Sequence, residues 1–222
     1  MSSTSVIENP ILDNPAHASA APAAAPAPPS GPLAGAPGIV GIPMAVAGAF
    51  GLGLVNTGFI PASAAAAALP TVIAASAVGL LLTTIWACAL GQNTSAGIFV
   101  LFFGFFATYG ALSLGLINGW YGIPADQMVN AQALWLTCWL FIFVMLTFVT
   151  LRLPWSSTLM LVFVDIALVL LLMGTLQGNT GMTNLGGWFT FAFVAVAVYL
   201  YVDVMWSQTG GRGLPQGRAL VR

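Results

Sequence analysis

The chain has 222 residues, 59% of them hydrophobic in type and only 4% charged, with a formal net charge of −1. That is about a sixth of the charge a soluble domain carries, too little to cover a soluble surface. With no Lys, and only Arg152, Arg212, Arg218 and Arg222 as basic residues, nucleic-acid binding through a basic face is excluded as well.

Residues 1–34 are rich in Ala, Pro and Ser and lack the charged and apolar regions of a signal peptide, so they read as a disordered N-terminal tail. The only His, His17, lies there, leaving no His for catalysis or metal binding in the rest of the chain. From residue 35 to 206 the chain reads as one membrane domain. Apolar segments at roughly 38–58, 67–90, 96–117, 131–151, 155–176 and 185–206 are each about long enough to cross a bilayer as a helix. The fold class is therefore an all-α membrane protein, a bundle of six transmembrane helices, without the short alternating segments of a barrel. Residues 207–222 form a short C-terminal tail. An even number of crossings gathers all four Arg on one side, which the positive-inside rule makes cytoplasmic, so both termini are expected inside the cell membrane.

The first helix carries two features. Pro37, Gly38, Gly41 and Pro43 crowd its start, leaving few regular hydrogen bonds in the first turn and backbone N–H groups free to meet a ligand. Gly41, Ala45, Ala49, Gly53 and Thr57 recur every four residues, as do Ala67, Thr71, Ala75, Gly79 and Thr83 in the second helix. Such stripes let helices approach closely in lipid. Trp120, Tyr121, Trp155 and Trp206 stand at helix ends, where an aromatic belt would anchor them. Gln92-Asn93-Thr94 and Gly178-Asn179-Thr180 occupy equivalent connections if the bundle is two inverted three-helix repeats, a transporter architecture.

Asp165 is the one ionisable residue near the middle of a span. A carboxylate there costs at least about a few kcal/mol, so it should face the bundle interior, water or a partner. It reads either as a proton-coupling group beside a permeation path or as a hydrogen-bonding contact between helices. Asp203, at the end of the sixth span, reads as a solvated or loosely paired interfacial carboxylate. The amides Asn56, Gln92, Asn93, Asn130, Gln132 and Asn179 can cap helices or line vestibules. Cys88 and Cys138 have no metal or disulfide spacing and read as small buried residues. With no paired carboxylates, phosphate loop or Ser/His/Asp set, the chain offers no enzyme and no cofactor site.

The stretch Ala36-Pro37-Gly38-Ile39-Val40-Gly41-Ile42 resembles the Asn-Pro-Ala-Pro-Leu-Gly-Leu signature of the acetate uptake transporter family. It keeps the first Pro and the Gly, with Ala36 for the leading Asn and Ile39 for the second Pro. Similar pieces follow in order: Asn93-Thr94, Phe103-Gly104, Asn130-Ala131-Gln132, Thr150-Leu151-Arg152, Met173-Gly174, and Gly187-Trp188 with Tyr199-Leu200. The resemblance implies a homo-oligomer, a hexamer, with a pathway for a small monocarboxylate in each protomer. It also implies an apolar constriction near Ala45, Phe103 and Val164.

Together these readings predict transport of acetate or a similar small carboxylate through the bilayer, with a proton or as the protonated acid. Pro37, Gly38, Gly41, Asn93 and Thr94 are then the candidate substrate-binding residues, and Asp165 the proton-coupling one. No Arg or Lys lies within the spans to balance a bare anion, whereas a helix N-terminus favours one. The alternatives are a channel for urea, short amides or ammonia, and a non-transporting scaffold or sensor.

Overall fold

The computed structural model describes residues 31 and 33–221. His17 and nearly all of the N-terminal tail lie outside them. Six helices among these residues are long and apolar enough to cross a membrane. They are α1 (Gly38–Asn56), α2 (Ala62–Ala89), α3 (Asn93–Ile117), α4 (Met128–Thr150), α5 (Trp155–Gln177) and α6 (Thr180–Gln208). The expected six-helix bundle is present, with boundaries that differ at several ends.

Each boundary has a local cause. The turns after α2 and α5 are closed by Gly91 (φ 69°) and Gly178 (φ 60°). Past each glycine the next N–H folds back five residues, Gln92 to Ala87 and Asn179 to Gly174, the Schellman ending that favours glycine. Asn179 then caps α6 by accepting from the N–H groups of Gly181 and Met182 at 3.0 and 3.2 Å. The α5–α6 connection is thus much shorter than the loop to Asn184 read from the sequence.

Helix α2 is not uniform. It opens as a 3-10 segment, Ala62–Ala68, passes Pro70, and continues as a π segment, Thr71–Ala77, before becoming α-helical from Val78. Pro70 donates no backbone hydrogen bond, and a wider turn is one way for a helix to accommodate that loss. The change of pitch breaks the four-residue stripe. Gly79 and Thr83 are buried while Ala67 and Thr71 are exposed.

The helices close into a ring in which α2 packs on α1 and α3, α5 packs on α4 and α6, and α1 packs on α6. This matches the pairing of two three-helix halves, but one equivalence fails: α1 and α6 are close, whereas α3 and α4 are barely in backbone contact. The α1 stripe is a packing surface within the protomer. Gly41 receives the ring of Phe99 and Gly53 that of Phe191, leaving no space for a Cβ. Gly187 lies against the backbone of Asn56 and Thr57.

The C-terminal tail is folded back over the bundle. Leu220 and Val221 donate to Leu151 O at 3.0 Å, and Pro154 pairs with Ala219. Asp203 is the pin. It is only 6% exposed and accepts from Leu214 N and from the side chain of Gln216, so it is not the solvated carboxylate expected. Burial of the carboxylate is offset by these two donors. Cys88 and Cys138 are exposed on the outside of the bundle rather than buried.

Candidate functional site

The wide α3–α4 seam is where the bundle holds space. Gly104 on α3 admits the Trp139 ring, since a Cβ there would come within 2.8 Å of it. Both Trp135 and Trp139 donate their indole N–H to Thr108 Oγ1, at 2.9 and 3.0 Å. Phe105 fills the remaining gap, with centroids 4.9 Å from Trp135 and 5.5 Å from Phe143. The Phe103-Gly104 step noted in the sequence is thus a docking notch for an α4 indole.

Two adjoining chambers lie inside the ring. The outer one, about 270 Å³, is lined by polar groups from the outer ends of the helices: Asn56, Tyr109, Ser113, Gln132, Thr175 and Thr183. The inner one, about 60 Å³, is almost wholly apolar and is lined by Ala49, Val164, Ala167 and several Phe side chains. Leu52, Asn56, Phe105, Leu168 and Leu171 line both and form the neck. From Thr175 to Val164 the lining descends α5 by about 16 Å, at 1.5 Å per helical residue.

The floor of the inner chamber is aromatic. Phe102 lies 5.0 Å from Phe143 and stacks on Phe193 at 5.7 Å between centroids. Beyond it the core is closed by fully buried Leu161 and by Leu146 and Ala197. The two chambers therefore lie toward one end of the bundle, and packed side chains fill it toward the end that carries Arg152, Arg212 and Arg218.

Of the constriction residues expected, Val164 lines the inner chamber. Ala45 is buried in the core one turn below Ala49, and Phe103 is half-buried on the next face of α3, where Phe102 takes the lining position. Asp165 follows Val164 but turns toward α4, where Thr147 Oγ1 donates to its Oδ2 at 2.7 Å. Its other oxygen is buried without a partner among the described residues. The same Thr147 hydroxyl is 3.0 Å from Phe143 O. One hydroxyl has one hydrogen, so both contacts are satisfied together when the carboxyl itself supplies a proton.

Pro37, Gly38, Gly41, Asn93 and Thr94 lie at the opposite end and line neither chamber. Chain neighbours of the two groups are joined instead: Gln92 donates to Gly35 O at 3.4 Å, and Trp86 donates to Leu33 O at 2.8 Å. Most N–H groups of the first turn of α1 are not free as expected. Those of Ile39, Val40 and Gly41 donate to Ala36 O and Pro37 O at 3.0–3.1 Å, and Pro37 is fully buried.

Sequence reasoning favoured capping over a vestibule for Asn56 and Gln132; both line the outer chamber. It missed Phe143 and Phe193, which no local pattern distinguishes from other aromatic residues in apolar runs.

No curated protein matches the chain. The solved structure described as that of the bacterial acetate channel SatP is similar in fold, with a TM-score of 0.70 at 20% identity, over 81% of this chain and 97% of that one. A sequence model of the GPR1/FUN34/yaaH family matches residues 19–211, the whole bundle and part of its flanks. On that match, in agreement with the resemblance carried by the α1 signature and the six-helix ring, the chain belongs to the GPR1/FUN34/yaaH family.

Proposed function

We propose that this protein carries acetate, or another small monocarboxylate, across the membrane through a pathway inside each protomer. The observation that carries this reading is the pair of chambers, a polar vestibule leading through a neck to an apolar inner chamber at mid-bundle. Family membership and the fold shared with a protein described as an acetate channel support it. An inner volume of about 60 Å³ suits only a small solute, a few water-sized groups across.

The transported form in this reading is the neutral acid. An unpaired carboxylate in an apolar chamber is strongly disfavoured, and the chamber lining holds no cationic side chain. Asp165, one residue from the lining, is the candidate for coupling proton movement to transport, supported by its Thr147 contact and its unpartnered oxygen. The protein acts as a transporter rather than an enzyme, as a homo-oligomer in the cell membrane, a hexamer by family resemblance. The Arg-bearing end, with both tails, is read as cytoplasmic.

The test is uptake of labelled acetate by proteoliposomes across an imposed pH gradient. Uptake should rise with the inward proton gradient and be competed by propionate. Competition by urea instead, or no flux at all, would refute the reading in favour of a channel for neutral amides or a non-transporting role.

A further inference from the structure

The neck between the chambers has an unusual chemical endowment. Asn56 and Thr190 are the polar side chains that line the inner chamber, and Thr190 already commits its hydrogen to Gly186 O at 3.0 Å. Asn56 also lines the outer chamber. Among the described residues its carboxamide makes no hydrogen bond. Its backbone, by contrast, is held firmly. Asn184 donates to Thr57 O at 2.6 Å, Thr57 Oγ1 donates to Gly53 O at 2.8 Å, and Gly187 brings α6 against the Asn56 carbonyl carbon. An uncommitted amide on a firmly held backbone thus lines the point where a solute would leave the polar vestibule for the apolar chamber.

A carboxamide presents one N–H donor and one oxygen acceptor side by side. A carboxylic acid presents the complementary edge, with its hydroxyl donating to Asn56 Oδ1 and its carbonyl accepting from Nδ2. A carboxylate has two acceptors and no donor, so one of its oxygens would be set against Oδ1 with nothing between them. We infer that Asn56 is a specificity-determining residue, which admits the protonated acid to the inner chamber in preference to the anion. This inference rests on the transport reading above and adds to it the group that selects the protonation state.

The experiment compares wild type, Asn56→Leu and Asn56→Asp in proteoliposomes, measuring initial uptake of labelled acetate from neutral to acidic pH. Asn56→Leu preserves volume and removes both hydrogen bonds, so uptake should fall by about tenfold or more. Its melting temperature and detergent elution should match wild type, because the amide makes no hydrogen bond among the described residues. Asn56→Asp should transport least, relative to wild type, at neutral pH, and the ratio should recover as acid restores a donor-and-acceptor edge. A merely structural residue would not produce that recovery.

Asn56→Leu within twofold of wild type at every pH, or an Asn56→Asp ratio that does not change with pH, overturns the inference while leaving the transport reading intact. If Asn56→Leu does not fold, the Asn56→Asp ratio decides alone. Wild type that carries no acetate overturns both.

Discussion

The α1–α6 and α3–α4 seams solve the same problem in opposite ways. Between α1 and α6 the contacts are made by absent side chains, with Gly53 receiving Phe191 and Gly187 resting on the Asn56–Thr57 backbone. Between α3 and α4 the backbones stay apart, and Phe105, Trp135, Trp139 and Phe143 bridge the gap around the Thr108 hydroxyl. In lipid there is no hydrophobic gain from bringing helices together, so close approach comes from small residues and polar contacts. Large rings packed at varied angles leave residual volume, and the chambers lie behind them. The tight seam supplies rigidity and the loose seam supplies space.

The comparison breaks most severely at Gly187. A Gly187→Leu side chain would begin with a Cβ 2.7 Å from Thr57 N, an overpacking of backbone that no rotamer relieves, costing about 3 kcal/mol or more. The expected outcome is loss of monodisperse protein in detergent extracts; a normal yield would mean that this seam is not tight. Next is Phe143→Ala on the loose seam. Phe143 is fully buried, and its removal should cost about 3–5 kcal/mol while lowering the floor of the inner chamber. Uptake of labelled butyrate relative to acetate should rise, and an unchanged ratio would show that the floor does not set the size limit.

A smaller effect is expected for Thr108→Val, which keeps shape but removes the acceptor for two indoles. The cost should be about 1–2 kcal/mol, read as a lower melting temperature with acetate uptake retained. Smallest in stability is Asp165→Asn, which keeps a hydrogen-bonding partner for Thr147 and should change stability by no more than about 1 kcal/mol. Its diagnostic is functional: the dependence of uptake on the proton gradient should flatten. A profile identical to wild type would remove Asp165 from the coupling step and leave it as a contact between α4 and α5.

Much of the fold was legible because membrane spans are written in composition. Six apolar runs, the glycine and Pro breaks between them and the aromatic ends need no tertiary information to be seen. The site was legible only in parts. Val164, expected from the sequence at the constriction, lines the inner chamber, but Phe102 and Phe103 differ by one position, a rotation of about 100° on a helix that a featureless apolar run does not specify. The first turn of α1 was misleading for a related reason. Pro37 and Gly38 suggest unpaired N–H groups, yet the turn closes on Ala36 and Pro37 and is fastened to α2 through Trp86 and Gln92. Asp203 was misjudged because its partners, Leu214 and Gln216, sit in a tail whose sequence carries no sign of folding back.

By itself the sequence determined that this chain lives in a bilayer, crosses it with six helices and carries almost no charge inside, because backbone groups in lipid must be satisfied within each helix and apolar length is a local property. Only the tertiary structure decided which faces meet, that the α3–α4 seam stays open, that Asn56 lines both chambers and that Asp165 turns toward α4. Those outcomes depend on helix rotation and on contacts between residues far apart in the chain, such as Asn184 on Thr57, 127 positions away. An apolar run of nearly uniform hydropathy leaves both undetermined until the helices pack.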